Sequence, residues 1–301
     1  VSALRRGKHV LLIGPPGTGK TALAKAVAEA MGVEPYICTA NSAWTRYDFI
    51  GGPVIGEGGR MMWKSGHLLE ALSRHLEGGC MLIVEELNRA EADKVLAEFF
   101  TMFSSNKPEE WVFPYSLVEE ITSYDYEKDR AARTLLTQLP QLGKRPGGYA
   151  IPSDFRVIAT VNSFDRTYLF TLGFALQRRF AVVEINPPEA EEEVTAVAEQ
   201  LGVSKDNEVL RRALQLVESV RRTTDRPIGT ATLVDIASLA LEMVEQGLSV
   251  EEAIDLAASI ALPSQLEGLP RDVLERLASQ LQDAYRRTAE AVRNLYRYVP
   301  E

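Results

Sequence analysis

The segment from Gly14 to Thr21 carries the clearest chemical signature in the chain. It matches the pattern G-x-x-x-x-G-K-[ST] through Gly14, Pro15, Pro16, Gly17, Thr18, Gly19, Lys20 and Thr21. The glycines let backbone N–H groups turn toward phosphate oxygens, the lysine ammonium reaches the β and γ phosphates, and the threonine hydroxyl ligates Mg²⁺. Because a strand is predicted before the segment and a helix after it, the pattern predicts a site for ATP or GTP with Mg²⁺.

Two adjacent carboxylates follow a second predicted strand. Glu85 and Glu86 come directly after the run CMLIV at 80–84, whose continuous apolar character is typical of a parallel strand buried on both faces. A carboxylate beside a phosphate loop can hold the Mg²⁺ shell, and a second can orient and deprotonate the attacking water. We assign the metal to Glu85 and the water to Glu86. A solvated acidic loop is the simpler alternative.

Three further polar residues follow later strands or helices. Asn162 ends the predicted strand 155–161, where its amide could bind the γ-phosphate or the water, although such a residue is more often part of a turn. Arg178 and Arg179 end a helical stretch, and adjacent arginines usually belong to a solvated surface. They gain a catalytic role only if the phosphate of another subunit lies opposite them.

Strands and helices alternate through the first part of the chain. Apolar runs predict strands at 9–13, 35–39, 80–84, 155–161 and 181–185, and helical patterns lie at 21–31, 66–76 and 94–104. This alternation predicts an α/β domain over 1–187, with helices on both faces of a parallel sheet. The break Asn186-Pro187-Pro188 introduces a smaller all-helical domain over 188–301, with helices predicted at 189–201, 207–223, 230–246, 250–261 and 270–297.

Composition limits the classes of function. Of 301 residues, 46% are hydrophobic and 25% charged, which is ordinary for a globular protein. The net charge of −9 lies entirely in 188–301, which holds 12 basic and 21 acidic residues, and this argues against a broad nucleic-acid surface there. No apolar run is long enough to form a membrane-spanning helix. None of the histidines has a cysteine or a second histidine at the spacing that zinc ligands have. The two cysteines lie in strand-like runs, which predicts buried free thiols in a reducing cytoplasm.

Four sequence blocks occur in a familiar order. They read GPPGTGKTALAKAVA, LIVEELNRA, ATVNSFDRTYLFTLGFALQRRF and NPPE. Together they resemble the AAA+ superfamily, in the dynein-related branch that holds MoxR-type and McrB-type proteins, over about residues 1–240. The order N-S-x-D-R followed by A-L-x-R-R-F is most similar to the McrB-type restriction motors.

The resemblance implies a P-loop AAA+ sheet followed by a helical lid, and a ring of subunits, with six the expected number. It also implies a role for each matching position. The roles are Walker A for Lys20 and Thr21, Walker B for Glu85 and Glu86, sensor 1 for Asn162, a trans-acting arginine finger for Arg178 and Arg179, and a place near the site or the subunit interface for Asn88, Arg89, Asp165 and Arg166.

The chain departs from the family pattern at three places. Glu85 stands where Walker B usually has aspartate, which adds a methylene but still permits contact with Mg²⁺ through water. The lid segment 227–233 has no sensor 2 arginine, as in the McrB-type pattern, and Arg226 could substitute or simply lie on the surface. The DNA-reading domain of McrB-type proteins has no counterpart in this sequence.

Two segments extend beyond a minimal sheet. Residues 53–65 are expected to form a hairpin at the ring pore or its rim, with Arg60, Met61, Met62, Trp63 and Lys64 exposed, or with the apolar members of this run in the core. The stretch 105–150 ends in KRPGGYAI, which predicts another hairpin. It is either a subunit contact or a pore element.

The favoured function is a ring-forming motor that hydrolyses ATP or GTP with Mg²⁺. The McrB-type resemblance implies DNA translocation or remodelling through the pore, together with an McrC-like nuclease subunit. The first alternative is a MoxR-type chaperone that remodels a protein partner. The second is an assembly scaffold in which nucleotide binding drives oligomerisation.

Overall fold

The computed structural model describes residues 1–163 and 179–295. Its strands are β1 (His9–Gly14), β2 (Glu34–Thr39), β3 (Gly51–Ile55), β4 (Met61–Ser65), β5 (Cys80–Glu85), β6 (Val112–Pro114), β7 (Lys144–Arg145), β8 (Gly148–Ala150), β9 (Arg156–Asn162) and β10 (Phe180–Glu184). The α-helices that precede β10 are α1 (Ser2–Arg5), α2 (Lys20–Ala30), α3 (Arg46–Phe49), α4 (His67–Gly78), α5 (Ala92–Val95), α6 (Ala97–Met102), α7 (Tyr115–Thr122) and α8 (Arg130–Leu142). Those that follow it are α9 (Ala190–Leu201), α10 (Glu208–Thr224), α11 (Thr230–Glu245), α12 (Val250–Ala261), α13 (Pro263–Leu266), α14 (Arg271–Leu281) and α15 (Arg286–Leu295).

Five parallel strands form the main sheet, in the order β10–β1–β9–β5–β2. Each lies within one residue of its predicted position, which confirms the predicted α/β sheet. The three inner strands are buried almost throughout, because helices cover a parallel sheet on both faces. All five strands point the same way, so the polar residues that end them meet at one edge of the sheet.

The predicted helix at 94–104 is divided in the structure. It forms the short helices α5 and α6, which meet at Leu96. Leu96 is buried and its backbone (φ −98°, ψ 11°) leaves the helical region, so the apolar side chains of both helices reach the core. The same core takes buried residues from α7 and α8, so the insert 105–150 packs against the sheet domain.

Both predicted hairpins are present. The strands β3 and β4 pair antiparallel, from Gly51 opposite Ser65 to Ile55 opposite Met61, and β7 pairs antiparallel with β8. The expectation that all of residues 60–64 are exposed is wrong for Trp63. Its ring is buried, its N–H donates to the Asp125 carbonyl oxygen (2.9 Å), and its indole N–H donates to the Ser65 hydroxyl (3.2 Å).

The chain divides into two compact units. The first contains residues 1–14 and 20–184, and the second contains residues 15–19 and 185–301. The described part of the second unit is helical and has its own apolar core, built from α9 to α15. Among the described residues, no helix is long and apolar enough to cross a membrane.

The prediction of one helix over 270–297 is wrong. The chain turns between α14 and α15, and the Tyr285 N–H donates to the Leu281 carbonyl oxygen (2.8 Å). Asp255 of α12 accepts hydrogen bonds from the N–H groups of Arg287 and Thr288 (2.9 Å each). The turn therefore has two causes: a carboxylate satisfies the first N–H groups of α15, and α15 buries its apolar side in the core.

Candidate nucleotide-binding site

The predicted phosphate loop connects β1 to α2. Gly17 and Gly19 have φ values of 75° and 76°, the left-handed region that glycine adopts without strain. The Lys20 ammonium donates to the Gly14 carbonyl oxygen (2.9 Å), so it folds back across the start of the loop. Burial lowers the pKa of Lys20, and the charge of Glu86 acts in the opposite direction. The ammonium therefore lies within electrostatic reach of the predicted catalytic carboxylate.

Glu85, the last residue of β5, contacts the start of α2 and the end of β2. One of its carboxylate oxygens accepts a hydrogen bond from the Thr21 hydroxyl at the start of α2. The other accepts one from the Thr39 hydroxyl (3.0 Å) at the end of β2. The two residues predicted to hold Mg²⁺, Thr21 and Glu85, are thus in direct contact although they lie 64 positions apart in the chain.

Glu86 has an unusual backbone. Its φ of 54° places it in the left-handed region, which is uncommon outside glycine and costs of order 1 kcal/mol or more. Its N–H donates to the Thr160 hydroxyl of β9 (3.1 Å), and its carboxylate pairs with the Arg89 guanidinium (2.6 Å). The backbone turn directs the Glu86 side chain away from the path of β5, and Arg89 then holds it.

Asn162 lies beside the start of the phosphate loop. The register of β1 and β9 pairs Gly14 with Asn162, and the next N–H, that of Ser163, donates to the Gly14 carbonyl oxygen (3.0 Å). The side-chain oxygen of Asn88, which is buried, accepts a hydrogen bond from the Asn162 N–H (3.2 Å). Asn88 therefore fixes the end of β9, where Asn162 lies opposite Gly14 in the strand register.

Of the two predicted arginine-finger residues, the structure describes Arg179. Arg178 lies outside the described residues, as do Asp165 and Arg166. Arg179 is partly buried, and its guanidinium donates to the carbonyl oxygens of Phe103 (2.8 Å) and Phe100 (2.7 Å). It also lies 5.0 Å from the centroid of the Phe100 ring.

Residues 15–19 contact the start of α11 inside the second unit. The Ala231 N–H donates to the Gly17 carbonyl oxygen (3.1 Å). A Cβ added to Gly229 would lie 2.0 Å from the Pro16 carbonyl oxygen, so only glycine fits this position without movement of the backbone. Arg226, the candidate substitute for a sensor 2 arginine, donates to the Glu267 carbonyl oxygen (2.7 Å).

A buried ion pair supports this contact. Arg221 forms a bidentate pair with Glu193 (2.7 and 2.8 Å) through its two terminal nitrogens, and its Nε–H donates to the Ile228 carbonyl oxygen (2.8 Å). Ile228 itself is buried one residue before Gly229. The pair thereby holds the segment that leads into α11. Sequence reasoning missed it, and it also missed Thr39 and Thr160, whose only signal was a hydroxyl at or near the end of a predicted strand.

The protein class follows from the sheet and the loop together. A parallel sheet in which the G-x-x-x-x-G-K-T loop leads from an inner strand into a helix is the P-loop nucleoside triphosphatase fold. Within that class, the protein-family model described as AAA domain (dynein-related subfamily) matches residues 9–180 of this sequence. The chain belongs to this family and is an AAA+ ATPase.

Three curated relatives have similar sequences. The chain is 26% identical over 190 residues to the type IV methyl-directed restriction enzyme EcoKMcrB subunit of Escherichia coli, covering 60% of this chain and 36% of that protein. It is 21% identical over 248 residues to protein NorQ of Paracoccus denitrificans, covering 82% and 77%. It is 28% identical over 222 residues to the Holliday junction branch migration complex subunit RuvB of Kosmotoga olearia, covering 72% and 48%.

These matches confirm the resemblance to the MoxR-type and McrB-type branch. The chain spans about a third of the McrB subunit and about half of RuvB.

Proposed function

We propose that this chain is the motor domain of a ring-forming AAA+ ATPase that hydrolyses ATP or GTP with Mg²⁺ between adjacent subunits. The observation that carries the proposal is the contact between Thr21 and Glu85, beside a lysine that is held at the mouth of the phosphate loop. Three separate elements converge on this point, and each supplies a group that the hydrolysis of a phosphoanhydride needs.

The oxygen groups at this point fit Mg²⁺. Thr21, Thr39 and Glu85 offer hydroxyl and carboxylate oxygens, which are the hard donors that Mg²⁺ prefers. Among the described residues, no group of three His, Cys, Asp or Glu side chains could hold a metal ion. Thr21 and Glu85 would hold the ion, which supplies neutralisation of the phosphate charge when bound.

The protein groups divide the remaining work. Lys20 would leave the Gly14 carbonyl oxygen and donate to the β and γ phosphates. Glu86 would leave Arg89, orient the attacking water and accept its proton. Asn162, beside Gly14, would donate its amide to the γ-phosphate or the water. Catalysis then consists of positioning and charge stabilisation rather than covalent chemistry.

Arg178 and Arg179 directly precede Phe180, the first residue of the edge strand β10, in the sequence. We propose that the finger acts on the nucleotide of a neighbouring subunit, which makes turnover per subunit rise with protein concentration. A mixing experiment tests this. A variant with both arginines changed to Ala and the Lys20→Ala variant are each expected to be inactive alone.

Mixed rings are expected to recover activity, because the Lys20→Ala subunit presents intact arginines to a functional pocket in its neighbour. Fluorescence energy transfer between labelled variants measures subunit exchange. The recovery of activity is then assessed only in samples in which mixed rings have formed. Action in trans is refuted if mixed rings form without any return of activity.

DNA is the substrate that we propose for the motor. The names of two relatives, a restriction enzyme subunit and a branch migration subunit, refer to DNA. Exposed Arg60 and Lys64 on the β3–β4 hairpin offer cations for a phosphate backbone, and an McrC-like nuclease is the partner that the McrB similarity favours. A protein-remodelling function of the MoxR type is the second candidate, since the match to NorQ covers more of both proteins than the other two.

One turnover experiment separates these functions. Phosphate release is measured with ATP and with GTP, each with and without double-stranded DNA, and Lys20→Ala provides the blank. The proposal expects turnover of at least one nucleotide and stimulation by DNA that weakens as salt rises. Turnover that DNA leaves unchanged favours the protein-remodelling function, and nucleotide binding with no turnover at any protein concentration favours an assembly scaffold.

A further inference from the structure

Arg179 lies against the end of a helix in its own subunit. The helix α6 ends at Met102, and the last carbonyl groups of any α-helix have no partner within the helix. The Arg179 guanidinium donates to two carbonyl oxygens there, those of Phe100 and Phe103. A charged donor that satisfies two backbone acceptors and lies over the Phe100 ring makes a stronger contact than an exposed arginine does.

Phe180, the residue after Arg179, is also held by contacts within its own subunit. Phe180 is buried, and it begins β10 opposite His9 of β1. Its ring centroid lies 5.4 Å from that of His9 and 5.6 Å from that of Phe99 of α6. The helix α6 therefore holds both residues, Arg179 through its carbonyl groups and Phe180 through an aromatic contact. The chain is anchored at the position that directly follows Arg178.

We propose that the two adjacent arginines have different tasks: Arg179 is a positioning residue that anchors the chain to α6 of its own subunit, and Arg178 alone acts on the nucleotide of the neighbour. The inference rests on the function proposed above. A guanidinium that bridges two carbonyl oxygens inside its own subunit would have to give up both hydrogen bonds to reach another subunit's phosphate. Arg178, one residue earlier in the sequence, is then the arginine of the pair that is left for the nucleotide of the neighbour.

Stability of the dilute, nucleotide-free protein tests the anchor, because no neighbour is then present. The variant Arg179→Ala is expected to lower Tm by roughly 5 °C, since it leaves two carbonyl oxygens without their charged donor. The matched variant Arg145→Ala, at an exposed arginine of β7 in the same unit, should change Tm by about 1 °C or less. Arg179→Lys should recover part of the loss, because an ammonium can still donate to one of the carbonyl groups. An unchanged Tm in Arg179→Ala would overturn the anchor.

Turnover tests the positioning, at a temperature where every variant is folded and with nucleotide affinity measured separately. We expect a loss on the order of 10³-fold for Arg178→Ala and roughly 10- to 100-fold for Arg179→Ala, with affinity unchanged in both. The double variant should be no slower than Arg178→Ala alone, since Arg179 acts only through Arg178.

Three outcomes would overturn the division of tasks. If Arg179→Ala hydrolyses nucleotide at the rate of the parent protein, Arg179 has a structural role only. A double variant slower than Arg178→Ala means that Arg179 acts on its own. A larger loss in Arg179→Ala than in Arg178→Ala makes Arg179 the finger. A parent protein without turnover would instead overturn the proposed function and the positioning role with it, while the Tm measurements still decide whether the anchor exists.

Discussion

His9 makes the stability of the sheet domain depend on pH. Its ring is buried among Phe99, Phe103, Trp111 and Phe180, with centroids 4.9 to 5.4 Å away. Its Nδ1 accepts the Val157 N–H (3.1 Å), so a neutral ring carries its proton on Nε2, for which the described residues offer no hydrogen-bond partner. Burial lowers the pKa of His9 from 6.5 to about 3, and the nearby charges of Arg156 and Arg179 lower it too.

The direction of the effect follows from proton binding. Between pH 6.5 and about 3, the unfolded chain binds a proton at His9 and the folded chain does not, so the free energy of unfolding falls as the pH falls. Each pKa unit corresponds to about 1.36 kcal/mol. Between pH 7 and pH 4.5, His9 should therefore remove about 2.5 kcal/mol of stability, because the two pKa values bracket most of this interval.

Substitution by asparagine isolates this contribution. His9→Asn keeps a side-chain acceptor for the Val157 N–H but cannot titrate, so its stability should fall by about 2.5 kcal/mol less than that of the parent between pH 7 and pH 4.5. Urea unfolding at the two pH values measures the difference. All three tryptophans, Trp44, Trp63 and Trp111, belong to the unit that contains His9, so their fluorescence follows its unfolding alone.

A control separates titration from weakened packing. Leu12→Ala, which removes a buried side chain from the same strand, should be less stable at pH 7 but should keep the pH dependence of the parent. Carboxyl groups titrate equally in all three proteins and cancel in the comparison. If His9→Asn and the parent lose the same free energy between the two pH values, the assignment of the effect to His9 is refuted.

Other predictions concern the nucleotide site. Lys20→Ala should weaken nucleotide binding by about 100-fold or more, since it removes the ammonium aimed at the phosphates, and calorimetry with near-normal affinity would contradict the loop assignment. Glu86→Gln should retain nucleotide and Mg²⁺ binding but slow hydrolysis by about 10²- to 10⁴-fold. Single-turnover assays measure the rate of hydrolysis, and a rate close to that of the parent would contradict the role of Glu86. Gly229→Ala should weaken nucleotide binding by about tenfold, because its Cβ would meet the Pro16 carbonyl oxygen. Gly78→Ala, which adds a Cβ that meets no described atom within 4 Å outside its own helix and chain neighbours, is its matched control in titrations.

Much of the fold and of the loop could be predicted from local patterns. The strands β1, β5 and β9 are apolar runs of strand length between turn residues, and the loop after β1 is a contiguous motif between a strand and a helix, the context that the motif requires. Such signals lie within a few neighbouring residues, so no tertiary contact is needed to recognise them. The helices at 94–104 and 270–297 were predicted as continuous because a helical pattern can persist across a turn that only packing against other elements produces.

Only the tertiary structure decided which groups meet. The sequence by itself predicted a phosphate loop, an acidic pair and the AAA+ family, because each depends on residue types at short spacing. It could not place the Thr39 hydroxyl on Glu85, pair Glu86 with Arg89, or show Arg179 bound to the end of α6. The contacts of Thr39 and Arg179 join residues separated by tens of positions, and all three depend on strand order, register and side-chain direction, which the free energy of the whole packed core selects.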